Sequence, residues 1–375
     1  IVRLTTLRSL TLRTGSILDQ RVGQAIRESC PSFRELCCYF CLGDEGDGKM
    51  AGFLLALGAN TLERFGVISS NHLGRQTFAA LAGQHPKSLK MLHLASLGDA
   101  AVPHLRLLSQ CAVLESLSLE CYRLGEGGAP GEPGRRLVRA GGAGWLSNSR
   151  SLATLCIDML PGMTGLLSSV LVSDRLRLKT LSVNLNDDEV DDAFFAAIGR
   201  QTALEDLFVL SRTDPYGEDF EPLVRSIVKC KELVRLMLYN SLTGGQVREI
   251  CASLPRLEKF RFDGEHMSDA ILPHLLLTPR LNSVDVNATS CFTTDGIRDL
   301  IRRLAEDGGR GAHHGFALSI SSQLRTHRFT KDEEAAIEAE IRTKLGGTFS
   351  VGYWVSIDEE DESISEEDEF VFVDD

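Results

Sequence analysis

The stretch Leu233-Val-Arg-Leu236-Met-Leu238 decides the fold, because its three leucines stand at the first, fourth and sixth places of a frame that returns along the chain. Copies are read at Leu7/Leu10/Leu12, Phe33/Leu36/Cys38, Leu62/Phe65/Val67, Leu89/Leu92/Leu94 and Leu114/Leu117/Leu119. They continue at Leu152/Leu155/Ile157, Leu178/Leu181/Val183, Leu204/Leu207/Val209, Leu257/Phe260/Phe262 and Leu281/Val284/Val286, with a degenerate copy near Phe316/Leu318/Ile320. First positions are mostly 24 to 29 residues apart, with one long step of 38 from Leu114 to Leu152. The length of 375 residues alone would suggest two or three ordinary domains, but a repeat of this period overrides that prior.

Between frames the apolar period changes from two to 3.6. Phe220, Leu223, Val224, Ile227 and Val228 share one helical face, and Ile297, Leu300, Ile301 and Leu304 make a similar stripe, as do Met267, Ala270, Ile271 and Leu275. Each unit is therefore a short strand followed by a helix. Neither element buries its apolar face alone, so the units must stack. The expected fold is an α/β solenoid of about 11–12 repeats, with a parallel sheet on the concave side and helices on the convex side.

The period near 26, the strand-plus-helix unit and the Cys-x-x-Leu-x-x-Leu-x-Leu start at Cys111 to Leu119 and Cys230 to Leu238 resemble the leucine-rich repeats of F-box proteins, within the wider ribonuclease-inhibitor-like class. The resemblance covers about residues 1 to 325 and is specific for architecture. It implies a substrate-recognition module of a ubiquitin ligase subunit, with a protein substrate on the concave face and a Skp-type adaptor held through an F-box upstream. No F-box lies in the sequence itself, which begins at Ile1 inside a repeat, so upstream residues are expected. The repeat's Asn/Cys position three residues after the frame matches only at Cys41 and Asn186. A second class is a leucine-rich-repeat regulator of a small GTPase, similar to the activators of Ran, which also end in acidic tails.

Three segments depart from the repeat. Residues 123–144, rich in glycine with two prolines and four arginines, read as a loop inserted on the rim. After the solenoid, placed at 1–325, residues 326–357 hold a charged helix from Lys331 to Leu345 and an alternating segment at Phe349, Val351 and Tyr353, a C-terminal cap. Residues 358–375 form an acidic tail that the charge density keeps disordered. That tail carries eleven acids and no base, so a whole-chain charge of −12 leaves the rest at −1. A body so close to neutral lacks the basic stripe a nucleic-acid binder needs.

The tail also holds Phe370-Val371-Phe372-Val373 between acids, a segment able to add as a strand to a partner's sheet edge, similar to a SUMO-interaction motif. Ser363 and Ser365, each with an acid three residues on, are phosphorylation candidates.

Other motifs yield to plainer readings. Gly43-Asp-Glu-Gly-Asp-Gly48-Lys49-Met50 copies a phosphate-binding loop, yet Met50 replaces the magnesium-holding hydroxyl and three acids would face the phosphates. Cys37 and Cys38 are adjacent on a strand, so their side chains diverge, and Cys30, Cys111 and Cys230 recur three residues before a frame as small buried hydrophobes. The run Asp187, Asp188, Glu189, Asp191 and Asp192 suits the first turn of a helix and lacks the spacing of a calcium loop. The ten cysteines make no disulfide framework, which points to reduced thiols in the cytosol or nucleus and leaves the sequon at Asn287 without context. No catalytic site, metal, cofactor or membrane span is expected.

The residues before, between and after the last two frame positions point to the concave face. Early repeats place small or mixed groups there. The eighth to tenth present Asp206, Phe208 and Leu210, then Arg235, Met237 and Tyr239, then Lys259, Arg261 and Asp263. Large apolar groups flanked by bases have the composition of an interface centre, so Phe208, Leu210, Arg235, Met237, Tyr239, Lys259 and Arg261 are the candidate partner-binding residues. The alternative is that residues 211–219 cover Phe208 and Leu210.

Overall fold

Alternation within one frame sets the whole architecture. In β9 (Arg235–Leu242), Leu236 and Leu238 are wholly buried among helices while Arg235, Met237 and Tyr239 face the helix-free side. Leu233 sits just ahead of the strand, and its N–H donates to the Cys230 carbonyl at 3.1 Å, closing the turn that aims the strand. Each such leucine removed from water contributes about 1.5–3 kcal/mol, so one frame anchors its repeat several times over.

The computed structural model describes residues 5–40, 45–98, 101–121, 142–147, 149–160, 162–185, 192–211, 220–307, 315–322 and 328–353. Cys41, Asn186 with the acids from Asp187 to Asp191, the greater part of the 123–144 insertion, the covering segment 212–219, and the tail with Ser363, Ser365 and Phe370–Val373 lie outside them.

The frames become strands β1 (Ser9–Thr14), β2 (Glu35–Phe40), β3 (Arg64–Ser69), β4 (Met91–Leu94), β5 (Ser116–Glu120), β6 (Thr154–Asp158), β7 (Thr180–Leu185) and β8 (Asp206–Ser211). Beyond β9 follow β10 (Lys259–Ser268), β11 (Ser283–Cys291), β12 (Ala317–Ser322) and β13 (Thr348–Tyr353). They form a single sheet in sequence order, every neighbouring pair parallel. Parallel neighbours require a crossover, and the segments between strands supply it on one face.

The thirteenth strand exceeds the number of frames read from sequence. Phe349 and Val351 hold its fourth and sixth places, but the first place is Gly346, so no apolar residue announces the frame. Gly346 instead ends the helix Lys331–Leu345 at φ 65°, and a Cβ on Gly347 would stand 1.8 Å from the Phe316 carbonyl oxygen. A Thr330–Glu333 capping box starts that helix, and Ile337, Ile341 and Leu345 are its buried stripe.

Elsewhere the helices of the described residues are α1 (Gln20–Ser29), α2 (Gly46–Ala56), α3 (Arg75–Gln84) and further helices at Gly142–Ser147, Thr164–Leu171, Asp192–Ile198, Glu221–Ile227, Gly244–Ser253, Leu272–Leu275 and Thr294–Asp307. Two crossovers tighten to 3₁₀ turns, Val102–Gln110 and Asp269–Ile271. Met267, expected on a helical stripe, lies in β10, because β9, β10 and β11 run 8, 10 and 9 residues against 4 to 6 for the other strands.

The recurrent cysteine position has a physical cause. Cys30, Cys111 and Cys230 share it with Ser149, Gln201 and Thr278, all buried, and each carbonyl accepts the N–H of the frame's first residue. Their side chains serve the interior backbone: Gln201 Nε2 donates to Leu171 O at 2.6 Å, and Thr278 Oγ1 to Cys251 O at 3.0 Å. A small or hydrogen-bonding group is needed there because the ends of the preceding helix leave carbonyls without intrahelical partners. Burial pushes the Cys111 and Cys230 thiols up to about 11 and Cys251 up to about 12.

The phosphate-loop look-alike is absorbed in the same way. Met50 is buried and Lys49 pairs with Glu45 at 3.0 Å. Asp47, inside α2, accepts the N–H groups of Gly74, Gln76 and Thr77 at 2.8, 3.0 and 2.9 Å, capping α3 of the next repeat. Asp269 repeats the device, accepting from Thr293 N ahead of the helix Thr294–Asp307 at 2.9 Å.

Candidate functional site

On the helix-free face the parallel register sets Phe208 of β8, Met237 of β9, Arg261 of β10 and Asp285 of β11 in one row across four strands. Phe208, Met237 and Arg261 are half-buried, as are Leu210 and Tyr239 beside them, while Arg235 and Lys259 are exposed. Three of these side chains form a stack. The Phe208 and Tyr239 rings lie 5.3 Å apart and tilted by 51°, and the Arg261 guanidinium carbon stands 4.6 Å from the Tyr239 ring centre. Such aromatic and cation–π contacts hold rings rigidly at small entropic cost, which suits an anchor surface.

The charges around the stack are paired across strands. Arg235 grips both carboxylate oxygens of Asp206, and Arg261 Nη1 lies 3.4 Å from Asp285 Oδ2. Arg235 and Arg261 keep 52% and 38% of their side-chain surface in solvent, so these pairs are worth only about 0–1 kcal/mol and exchange partners cheaply. Arg261 Nε has no hydrogen-bond partner. Burial raises the Tyr239 hydroxyl above its ordinary range, and Arg261 opposes that shift. Asp263, next along β10, is pushed up to about 6 by burial, with Asn287 and Arg261 opposing and Asp285 adding to the shift.

No protein-family model matches the sequence, and no curated relative matches it. Among solved structures, yeast Rad7 in its complex with Elc1 superposes with a TM-score of 0.52 at 16% identity, over 87% of this chain and 78% of that one. The fold is a leucine-rich repeat solenoid. A second match, TLR13 in complex with ssRNA13, reaches a TM-score of 0.42 at 11% identity over 95% of this chain and 54% of that one, too distant to bear on the argument.

Within the solenoid the seven sequence-selected concave residues fall on three adjacent strands, and the stack joins Phe208, Tyr239 and Arg261. Leu210 and Met237 border it, and Lys259 stands in register with Arg235 at the start of the strands. Sequence reading missed a second aromatic feature, Tyr39 and Phe40 of β2, which are 50% and 43% exposed near the other end of the sheet. Its signal was two adjacent aromatics running past the frame. Also missed were asparagines set beside aspartates on neighbouring strands, Asn184 hydrogen-bonded to Asp158 and Asn287 in register with Asp263. Among the described residues no cluster of histidines, cysteines and acids has the arrangement to hold a metal ion, and no helix is long and apolar enough to cross a membrane.

Proposed function

We propose that this solenoid is a non-catalytic protein-interaction module, the substrate-recognition part of an F-box-type ubiquitin ligase subunit, which captures its protein through the concave face of β8 to β10. The observation that carries the reading is the Phe208–Tyr239–Arg261 stack, an aromatic and arginine cluster at the middle of a row of half-buried groups. Clusters of this composition hold most of the binding energy at protein interfaces. The neighbouring fold, Rad7, is one that was solved in complex with a second protein, Elc1, which supports assembly with other proteins as the use of this architecture.

Tyr239→Ala with Arg261→Glu tests capture. Loss of an anchor pair at an interface centre costs about 2 kcal/mol or more, so retention of the partner should fall at least about 30-fold, while Arg302→Glu on the convex helix Thr294–Asp307 leaves it unchanged. Undiminished capture by the double variant rules this patch out. The ligase part has its own test, since a helical F-box encoded upstream within about one short domain's length supports it. A reading frame without one removes the ligase assignment and leaves capture standing.

A further inference from the structure

The concave row at the C-terminal ends of the strands carries a pattern that the aromatic stack does not use. Asp158 on β6 is the register partner of Asn184 on β7, and Asn184 Nδ2 donates to Asp158 Oδ1 at 2.6 Å. Four strands from β6 the pairing of residue types recurs: Asp263 on β10 is the register partner of Asn287 on β11. In both units the asparagine Oδ1 is buried and accepts from no donor, and at the second Asp263 Oδ1 is orphaned too.

An acceptor buried without a donor destabilises the fold, and a charged one more so. Arg261 offsets the burial of Asp263 only in part, and no hydrogen bond joins the two side chains; the ion pair of Arg261 is with Asp285. The two Asp–Asn units are therefore short of donors on a face already argued to be a binding surface.

Their spacing is regular. Leu210 on β8 stands two strands from Asp158 and two from Asp263, with Tyr239 on the strand between Leu210 and Asp263. At about 4.8 Å per strand the two units are about 19 Å apart, and the apolar centre lies about 10 Å from each.

We propose that this row binds an extended peptide segment of a partner protein with two basic residues about six positions apart and an apolar residue midway. Each cation donates to one Asp–Asn unit, and the apolar side chain seats on Leu210 and Tyr239. A polyproline-II backbone rises about 3.1 Å per residue with three residues per turn, so its first, fourth and seventh side chains share one face about 9 and 19 Å along. A β-conformed segment would turn the fourth side chain away, because successive residues alternate. The inference rests on the concave face being the capture surface, and adds to it the chemistry of what is captured.

The test is selection of a random-peptide display library on the whole purified chain, with the Tyr239→Ala/Arg261→Glu variant for counter-selection. Enriched peptides should share a pair of Lys or Arg residues bracketing an apolar one. A synthetic peptide of the consensus should bind Asp158→Asn/Asp263→Asn at least about tenfold more weakly, as loss of charge-assisted hydrogen bonds requires. Each single Asp→Asn variant repeats the measurement if the double variant melts early. Enriched peptides without the basic pair, an affinity indifferent to both Asp→Asn changes, or no enrichment over the counter-selected variant overturns the proposal. Peptides lost on Tyr239→Ala/Arg261→Glu but indifferent to the Asp→Asn changes leave the capture surface in place and remove only this chemistry. Peptides retained by Tyr239→Ala/Arg261→Glu remove both.

Discussion

Asp47→Ala should loosen the first two repeats without touching the rest. The carboxylate sits in α2 yet accepts three N–H groups at the start of α3, so it rivets one repeat to the next. A hydrogen bond to a charged group is worth about 1.5–3 kcal/mol, and an anion at a helix N-terminus adds about 0.3–1 kcal/mol. The bonds share one half-buried carboxylate, and solvent screening trims them, which leaves about 2–3 kcal/mol for the set. In a repeat array each unit contacts only its neighbours, so the loss falls on the N-terminal side of the broken junction. Hydrogen exchange of the amides in β1, α1, β2 and α2 should accelerate by about 30-fold or more, at about 1.36 kcal/mol per tenfold, while those of β9 to β11 stay unchanged.

The pH dependence follows from the sign of the shift. Burial pushes Asp47 up, but hydrogen bonds from Thr77, Gln76 and Gly74 outweigh it and hold the group below its ordinary value of 3.8. A depressed carboxylate stabilises the fold above that ordinary value and stops doing so as pH falls through the folded one. The difference between wild type and Asp47→Ala should therefore be full at neutral pH and vanish in strong acid. Uniform acceleration along the chain, or a difference that persists in acid, would refute the inter-repeat rivet.

Three other outcomes are expected. A double-mutant cycle of Tyr239→Ala and Arg261→Ala, read by denaturant unfolding, should give a coupling of about 0.5–1 kcal/mol, the range of a partly exposed cation–π pair; additive effects would mean that the 4.6 Å stack contributes nothing. Asp263→Asn should stabilise the protein at pH 7.5 by about 1–2 kcal/mol after screening, and much less near pH 4, since stability held by a carboxyl raised to about 6 is present below 3.8 and lost as pH rises through 6. Equal stability of variant and wild type across that window, with Arg261, Asp285, Asn287 and Tyr239 all present around the group, would contradict the burial argument. Finally, Cys111, Cys230 and Cys251 should resist alkylation at pH 8 until the chain unfolds, because burial keeps them as thiols; mass spectrometry of peptides labelled in the native state checks this.

Much of the fold was legible because one side of each strand is fixed by packing. Leu236 and Leu238, or Leu117 and Leu119, cannot serve in any other register without turning apolar groups to solvent. What escaped depends on contacts rather than pattern. The frame predicts where β10 begins, but its continuation to Ser268, with register shifts between Phe262/Asp263 and Gly264/Met267, follows from pairing with β9 and β11. The alternation of Phe349 and Val351 shows a strand at β13, but with Gly346 in the frame's first place the sequence does not show that it extends the repeat sheet beside β12. In the sequence Asp47 is only a charge unsuited to a phosphate site; its partners lie 27 to 30 residues away, a separation no local pattern reveals.

The candidate site was legible at the level of which side chains share a face, since alternation alone assigns Phe208, Met237 and Arg261 to one side. That Tyr239 would bridge Phe208 and Arg261 was not, because rotamers decide it. The Asp–Asn units had a signal that was passed over: an aspartate at the seventh place of a frame followed one repeat later by asparagine at the same place, at 158 and 184 and again at 263 and 287.

The long ladders of β9, β10 and β11 bear on how the molecule yields to force. Pulled by its two ends, a stack held together only by adjacent contacts peels from the extremities, each repeat releasing on the order of 80–100 Å of chain at about 3.3–3.6 Å per residue. Strands of 8, 10 and 9 residues share more backbone bonds with their neighbours than strands of 4 to 6, so the segment that carries Tyr239 and Arg261 is the last to come apart. That segment would keep its face intact while the outer coils of the spring had already opened.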